Sequence, residues 1–134
     1  MRTGGCLCGQ VRFELTAEPM MFGFCHCLDC QHLAGGEPAA VVIGPQGSFQ
    51  LTQGELKAYR SKAASGNMVD RHFCPECGAH VVSRLDGGPI VAVKVGTLDE
   101  EPALQPQFEI WTSTARAWAH RPQGVASFEG NAPG

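Results

Sequence analysis

Cys25-His26-Cys27-Leu28-Asp29-Cys30 places three thiols within six residues, and two further pairs flank it: Cys6-Leu7-Cys8 and Cys74-Pro75-Glu76-Cys77. Thiolates at such spacings hold soft divalent cations, zinc above all, in a tetrahedron with metal–sulfur distances of about 2.3 Å. The run Cys74-x-x-Cys77-Gly78 lets the chain wrap round an ion, and the glycine admits the tight turn that follows. In Cys6-x-Cys8, side chains two apart on an extended segment project to the same side. Gly4, Gly5 and Gly9 free the backbone around that pair. Structural zinc takes four protein ligands, whereas catalytic zinc takes three and keeps one position open, so seven cysteines divide into four and three.

Spacing permits more than one division. Cys6, Cys8, Cys74 and Cys77 could share one ion and leave Cys25, Cys27 and Cys30 open. Alternatively Cys27, Cys30, Cys74 and Cys77 could form a zinc ribbon, with Cys6, Cys8 and Cys25 unused. His26 could close the triplet, although in an extended chain it faces away from Cys25 and Cys27. A purely disulfide framework is disfavoured, because an odd count of seven leaves one thiol over.

The elements that must position these thiols read as short strands. Val11, Phe13 and Leu15 alternate with Gln10, Arg12 and Glu14, the pattern of a half-buried strand over 10–15. Residues 20–25 alternate likewise, with Met20, Phe22 and Phe24 on one side and Cys25 on the other. One helical turn is expected over 28–33, stopped by Gly35-Gly36. Further strands are expected over 39–43, 49–52, 57–60, 67–73 and 79–85, then 90–95 and 108–112, with a hairpin turn at Asp86-Gly87-Gly88. The tail is expected to be irregular and held down by Trp118, Pro122 and Phe128. With 17 Gly and 9 Pro in 134 residues, the expectation is one mainly β domain spanning 1–134, made of short antiparallel strands with little helix.

The formal charge is -3, and seven thiolates with two dications would carry it to about -6. This argues against a nucleic-acid partner. No apolar run approaches a membrane span and no signal peptide precedes Cys6, so a cytoplasmic protein with reduced thiols is expected.

Three features taken together, Gly5-Cys6-x-Cys8-Gly9, Cys25-His26-Cys27-x-x-Cys30 and Arg71-x-Phe73-Cys74-x-x-Cys77-Gly78, resemble the glutathione-dependent formaldehyde-activating enzyme family, which includes centromere protein V. The tail, with 108–111, Trp118 and Phe128-Glu129-Gly130, is similar to that family's C-terminal region. The resemblance implies a β-tent fold and two zinc ions per chain. It assigns Cys6, Cys8, Cys74 and Cys77 to a structural zinc, and Cys25, Cys27 and Cys30 to an open catalytic one. One departure is that Gln31, His32 and Ala34 stand where members often carry a basic residue and a serine, which bears on the substrate.

Three thiolates leave a bound dication with net charge near -1, a weak Lewis acid suited to a soft fourth ligand such as an exogenous thiol. Coordination deprotonates that thiol. The resemblance implies that glutathione then adds to formaldehyde to give S-hydroxymethylglutathione, a carbon–sulfur lyase reaction in reverse. Arg60, Lys62, Arg71 and Arg84 are candidates for holding the anionic thiol, and Arg71 stands out because it lies three residues before Cys74. His26 and His32 are candidates for moving a proton, though a supporting or surface role suits each better. Trp111 and Trp118 read as anchors rather than a substrate platform. The alternative function is a non-enzymatic zinc module for a protein or small-molecule partner, which closure of the triplet by His26 would favour.

Overall fold

Apolar residues at alternate positions need two facing surfaces to bury them, and the chain supplies these as two sheets. The computed structural model describes residues 1–132, which form eleven strands and one α-helix. The strands are β1 (Arg2–Gly5), β2 (Arg12–Leu15), β3 (Met21–Cys25), β4 (Ala39–Pro45), β5 (Phe49–Gln53), β6 (Lys57–Lys62), β7 (Met68–Phe73), β8 (His80–Leu85), β9 (Ile90–Lys94), β10 (Phe108–Ile110) and β11 (Ala126–Ser127), and the helix is α1 (Leu28–Ala34). A small sheet runs β1-β2-β5, and an eight-stranded sheet runs β11-β10-β3-β4-β9-β8-β7-β6. The mainly β expectation holds. No helix among the described residues is long and apolar enough to cross a membrane.

The core lies between the sheets. Phe13, Leu15 and Phe49 of the small sheet meet Val42, Val81, Val82, Val91 and Val93 of the large one. The Phe13 and Phe49 rings stack at 4.8 Å between centroids. β1 was not expected, since Thr3-Gly4-Gly5 has no apolar alternation. It pairs with β2 because Gly4 lacks a side chain: a Cβ there would sit 2.5 Å from the Phe13 ring and 2.4 Å from the Thr97 carbonyl. Gly23 is bare for a similar reason, as it lies opposite Phe108 in the parallel β3–β10 pair and a Cβ would stand 2.4 Å from that ring.

The other face of the large sheet matters for function. Side chains alternate along each strand, so register fixes which residues share a face. Cys25 lies opposite Ala39, Val41 opposite Lys94, Ala92 opposite Ser83, and Ser83 opposite Arg71. Cys25, Lys94, Ser83 and Arg71 therefore point to the same side, away from the core. A register shift between His72 and Phe73 leaves His80 opposite Phe73 and so brings it to that side as well.

Candidate metal centres

The structure gathers the seven cysteines into two clusters, Cys6 with Cys8, Cys74 and Cys77, and Cys25 with Cys27 and Cys30; within each, the sulfurs all lie within 4.8 Å of one another. The zinc-ribbon alternative, with Cys27 and Cys30 joining Cys74 and Cys77, is not formed.

In the four-thiol cluster, Cys6 and Cys8 come from the β1–β2 loop, and Cys74 and Cys77 from the β7–β8 loop. Gly78 takes φ +76° and its N–H donates to the Cys74 carbonyl at 2.8 Å, closing the knuckle. The Sγ–Sγ separations are 3.6 Å for Cys6–Cys8 and 3.8 Å for Cys8–Cys74. A tetrahedron with metal–sulfur bonds of about 2.3 Å has sulfur–sulfur edges of about 3.8 Å, so the cage fits zinc. Backbone N–H groups of Ala79 and Cys8 pull Cys77 down to about 6. The Gln10 N–H favours the Cys8 thiolate, but burial and its three thiol neighbours win and push it up to about 12. Four thiols this close ionise together only around a cation.

The three-thiol cluster is built by the junction of β3 and α1. Cys25 ends β3, Cys27 is the N-cap of α1, and Cys30 sits in the helix's first turn. The Cys27 sulfur accepts from the Cys30 N–H at 3.3 Å, so one thiol both starts the helix and orients the next thiol. Gly35, at φ +70°, ends the helix where Gly35-Gly36 predicts. Hydrogen bonds from Cys25 and Cys30 and the Arg71 charge pull Cys27 down, while Cys27, Cys30 and burial push Cys25 up. Cys25 and Cys27 are buried and Cys30 is partly exposed.

No His, Asp or Glu among the described residues joins the triplet as a fourth donor. His26 does not close it. Its ring is 0% exposed, with Nδ1 paired to Glu37 and Nε2 paired to Glu109 at 2.8 Å. Both ring nitrogens are engaged by carboxylates, which holds the ring in place. Arg121, donating through Nε and Nη2, and the Ser127 hydroxyl hold the Glu109 carboxyl down to about 2, with His26 adding to the effect. His32 lies on the helix surface, with Nδ1 at 2.8 Å from the Leu28 carbonyl.

Of the four candidate cations only Arg71 reaches the triplet's side. It is 7% exposed, donates to the Ser61 hydroxyl at 2.7 Å and pairs with Asp29 of α1 at 3.5 Å. Arg60 is tied to Asp70 and Asp86. Lys62 is exposed. Arg84 lies 5.4 Å from the Phe49 ring on the core side.

Two residues that sequence reasoning missed share the sheet face of the triplet. The Lys94 charge acts on Cys30. His80 has Nε2 3.2 Å from the Ser83 hydroxyl and a buried Nδ1 with no partner. Burial, with Lys94, Arg71 and His72, pushes His80 down to about 3, so it is neutral at neutral pH. The signal for both was position alone, three residues beyond Cys77 for His80 and the polar end of an apolar strand for Lys94.

Residues 1–114 match the family described as glutathione-dependent formaldehyde-activating enzyme. The chain belongs to that family. No curated protein matches the chain. The crystal structure of a Rhodobacter sphaeroides protein, a structural genomics target, aligns with TM-score 0.59 over 94% of this chain and 98% of its own, at 18% identity. That likeness concerns the fold alone.

Both cysteine clusters, and the face that carries Arg71, Lys94 and the neutral His80, lie within the matched residues. Gln31, the departure beside the triplet, braces it: Nε2 donates to the carbonyls of His26 at 2.9 Å and Thr114 at 3.1 Å. Trp118 does not anchor the tail, being 72% exposed. Trp111 does, donating through Nε1 to Asn131 at 2.8 Å.

Proposed function

We propose that this member of the glutathione-dependent formaldehyde-activating family holds two zinc ions and joins a thiol to a small aldehyde at the three-thiol site. In this reading the four thiols Cys6, Cys8, Cys74 and Cys77 hold a structural zinc, and Cys25, Cys27 and Cys30 hold the open one. A single observation carries the reading: three convergent sulfurs have no fourth protein donor among the described residues, and the neighbouring sheet face presents Arg71 and Lys94. The non-enzymatic alternative drew on closure by His26, and that ring is committed elsewhere.

A zinc ion held by Cys25, Cys27 and Cys30 would supply a soft position at which an external thiol loses its proton. The chain's own residues do the rest. Arg71 and Lys94 attract the carboxylates of glutathione and orient it with its sulfur toward the cysteines. His80 is a neutral hydrogen-bonding group on the same face, so it adds no third positive charge. In the overall reaction a sulfur–carbon bond forms to formaldehyde, its C=O becomes C–O–H, and the thiol proton ends on that oxygen. Nothing is oxidised or reduced. The reverse reaction is carbon–sulfur cleavage.

The test is zinc content per chain together with the spectrum of the cobalt-substituted protein, with and without glutathione. The expected result is two ions per chain and a sulfur-to-cobalt charge-transfer band that grows with glutathione. Exchange spectroscopy by NMR would then follow the interconversion of glutathione, formaldehyde and their adduct, expected to speed up with the wild type and not with Cys30→Ser. A spectrum unmoved by saturating glutathione refutes thiol binding, and an unchanged exchange rate refutes the enzyme reading.

A further inference from the structure

The segment after Thr114 lies outside the family match, yet it grips the back of the three-thiol site. β11 lies parallel to β10, with the Phe128 N–H donating to the Glu109 carbonyl at 3.0 Å. That docking brings Arg121 and Ser127 onto the Glu109 carboxylate. Arg121 donates to both its oxygens, at 2.9 and 3.1 Å, and the Ser127 hydroxyl donates at 2.7 Å. Glu109 is 2% exposed, so its ionised form depends on these partners.

The next contact inward is Glu109 with His26 Nε2. His26 lies between Cys25 and Cys27 in the chain, and all its polar groups are engaged. Its N–H donates to the Ile110 carbonyl at 3.0 Å, and its carbonyl accepts from Gln31 and from the Thr114 hydroxyl at 2.8 Å. The tail reaches the same loop by a second route. The Arg116 N–H donates to Glu37 at 3.0 Å, and the Arg116 side chain donates to Gln31 at 2.7 Å.

We propose that residues 115–132 form a strap that positions the three-thiol site: Arg121 and Ser127 fix Glu109, Glu109 fixes His26, and His26 sets the backbone from which Cys25 and Cys27 project. The inference rests on the reading of Cys25, Cys27 and Cys30 as metal ligands. Arg121 and Ser127 touch neither a thiol nor a reactant in this scheme, so they are positioning residues. Their effect falls on how well three sulfurs are preorganised for one ion. The four-thiol site, built from other loops, takes no part in the chain of contacts and serves as an internal control.

The experiment is competition between the zinc-loaded 134-residue chain and a chromophoric chelator, read as stepwise zinc release. Wild type is expected to release one ion early and one late, with Cys30→Ser removing the early step. Arg121→Gln is expected to weaken the early step by about 10- to 100-fold and leave the late step unchanged. Arg121→Lys, which keeps the charge but loses the bidentate grip, should recover part of the loss. Ser127→Ala should shift the early step less, in the same direction. Because the Arg121 side chain is 44% exposed, its replacement opens no buried cavity, and Ser127→Ala gives an independent measure. An early step that does not move, or two steps that move together, overturns the proposal. Release of a single ion, unaltered by Cys30→Ser, removes the metal reading itself and the strap proposal with it.

Discussion

Replacing Arg71 with glutamine separates recognition of the thiol's charge from recognition of its sulfur. In the folded chain Arg71 donates to the Ser61 hydroxyl at 2.7 Å and, at the long distance of 3.5 Å, to the Asp29 carboxylate, its ion-pair partner. The Asp29 side chain is 47% exposed, so water replaces the lost cation there. The ion pair then contributes less than about 1 kcal/mol. The Ser61 contact contributes about 1 kcal/mol more, so the variant should fold with a stability loss of about 1–2 kcal/mol. The loss on binding is expected to be larger and selective. A charge-assisted hydrogen bond to a carboxylate contributes about 1.5–3 kcal/mol, or about 10- to 150-fold in affinity. Titrating the cobalt-substituted protein with glutathione should show that weakening. Titration with 2-mercaptoethanol, which has the sulfur but no carboxylate, should not. The difference should shrink as salt is raised, because the contact is partly screened. Equal weakening for both thiols would place Arg71 in support of the cysteines rather than of the substrate. No weakening for either would refute the assignment of the basic face.

Cys77→Ser should leave about one tightly held zinc fewer per chain and lower the melting temperature sharply, whereas Cys30→Ser should lose the other zinc and melt near wild type; zinc analysis with calorimetry checks both. Phe13→Ala removes a ring that is 1% exposed and stacked on Phe49, and should cost about 3–5 kcal/mol in urea denaturation with zinc saturating. His80 titrates at about 3 when folded, against an ordinary histidine value of 6.5, so only the unfolded chain takes up its proton between those values. Stability should therefore fall as pH is lowered from about 6.5 toward about 3, with a slope from this group of up to about 1.4 kcal/mol per pH unit. His80→Gln should flatten that acid limb in denaturation midpoints, and an unchanged limb would mean the imidazole is not buried in its neutral form.

Much of the fold was legible because its signals are local. Val11, Phe13 and Leu15 alternate with polar residues, and the burial of each follows that alternation. The N-cap and the glycine stop of α1 both sit inside one short stretch. What escaped reading is what arises only from long-range pairing. β1 carries no apolar pattern, because Gly4 makes room for the ring of Phe13. β11 has only Ala126 and Ser127, and its place comes from backbone bonds to β10. The cysteine pairs announced metal chemistry, but their grouping depends on contacts such as Cys8 with Cys74, 66 residues apart. Lys94 looked like the end of an apolar strand until the β4–β9 register set it opposite Val41. Glu109 carries no local signal of its role: it is the buried partner of His26, 83 residues away.

The β7–β8 hairpin carries both the four-thiol knuckle and, on β7, Arg71, which faces the three-thiol cluster. Arg71 lies three residues before Cys74, and His80 lies three residues after Cys77. The four-thiol knuckle closes the end of that hairpin, with the Cys74 N–H donating to the Ala79 carbonyl at 3.0 Å. It therefore fixes how far each strand extends before the knuckle, and hence where Arg71 and His80 stand on the sheet. Two cysteines in that knuckle tie it to the β1–β2 loop, at the edge of the small sheet. A metal bound there would stiffen the joint between the sheets and help to hold Arg71, the cation that faces the other cluster. This gives a physical reason for both clusters to occur in one small chain. On this reading the four-thiol cluster positions Arg71 and His80 from one side, and the proposed strap positions the three sulfurs from the other, through His26 and Glu109.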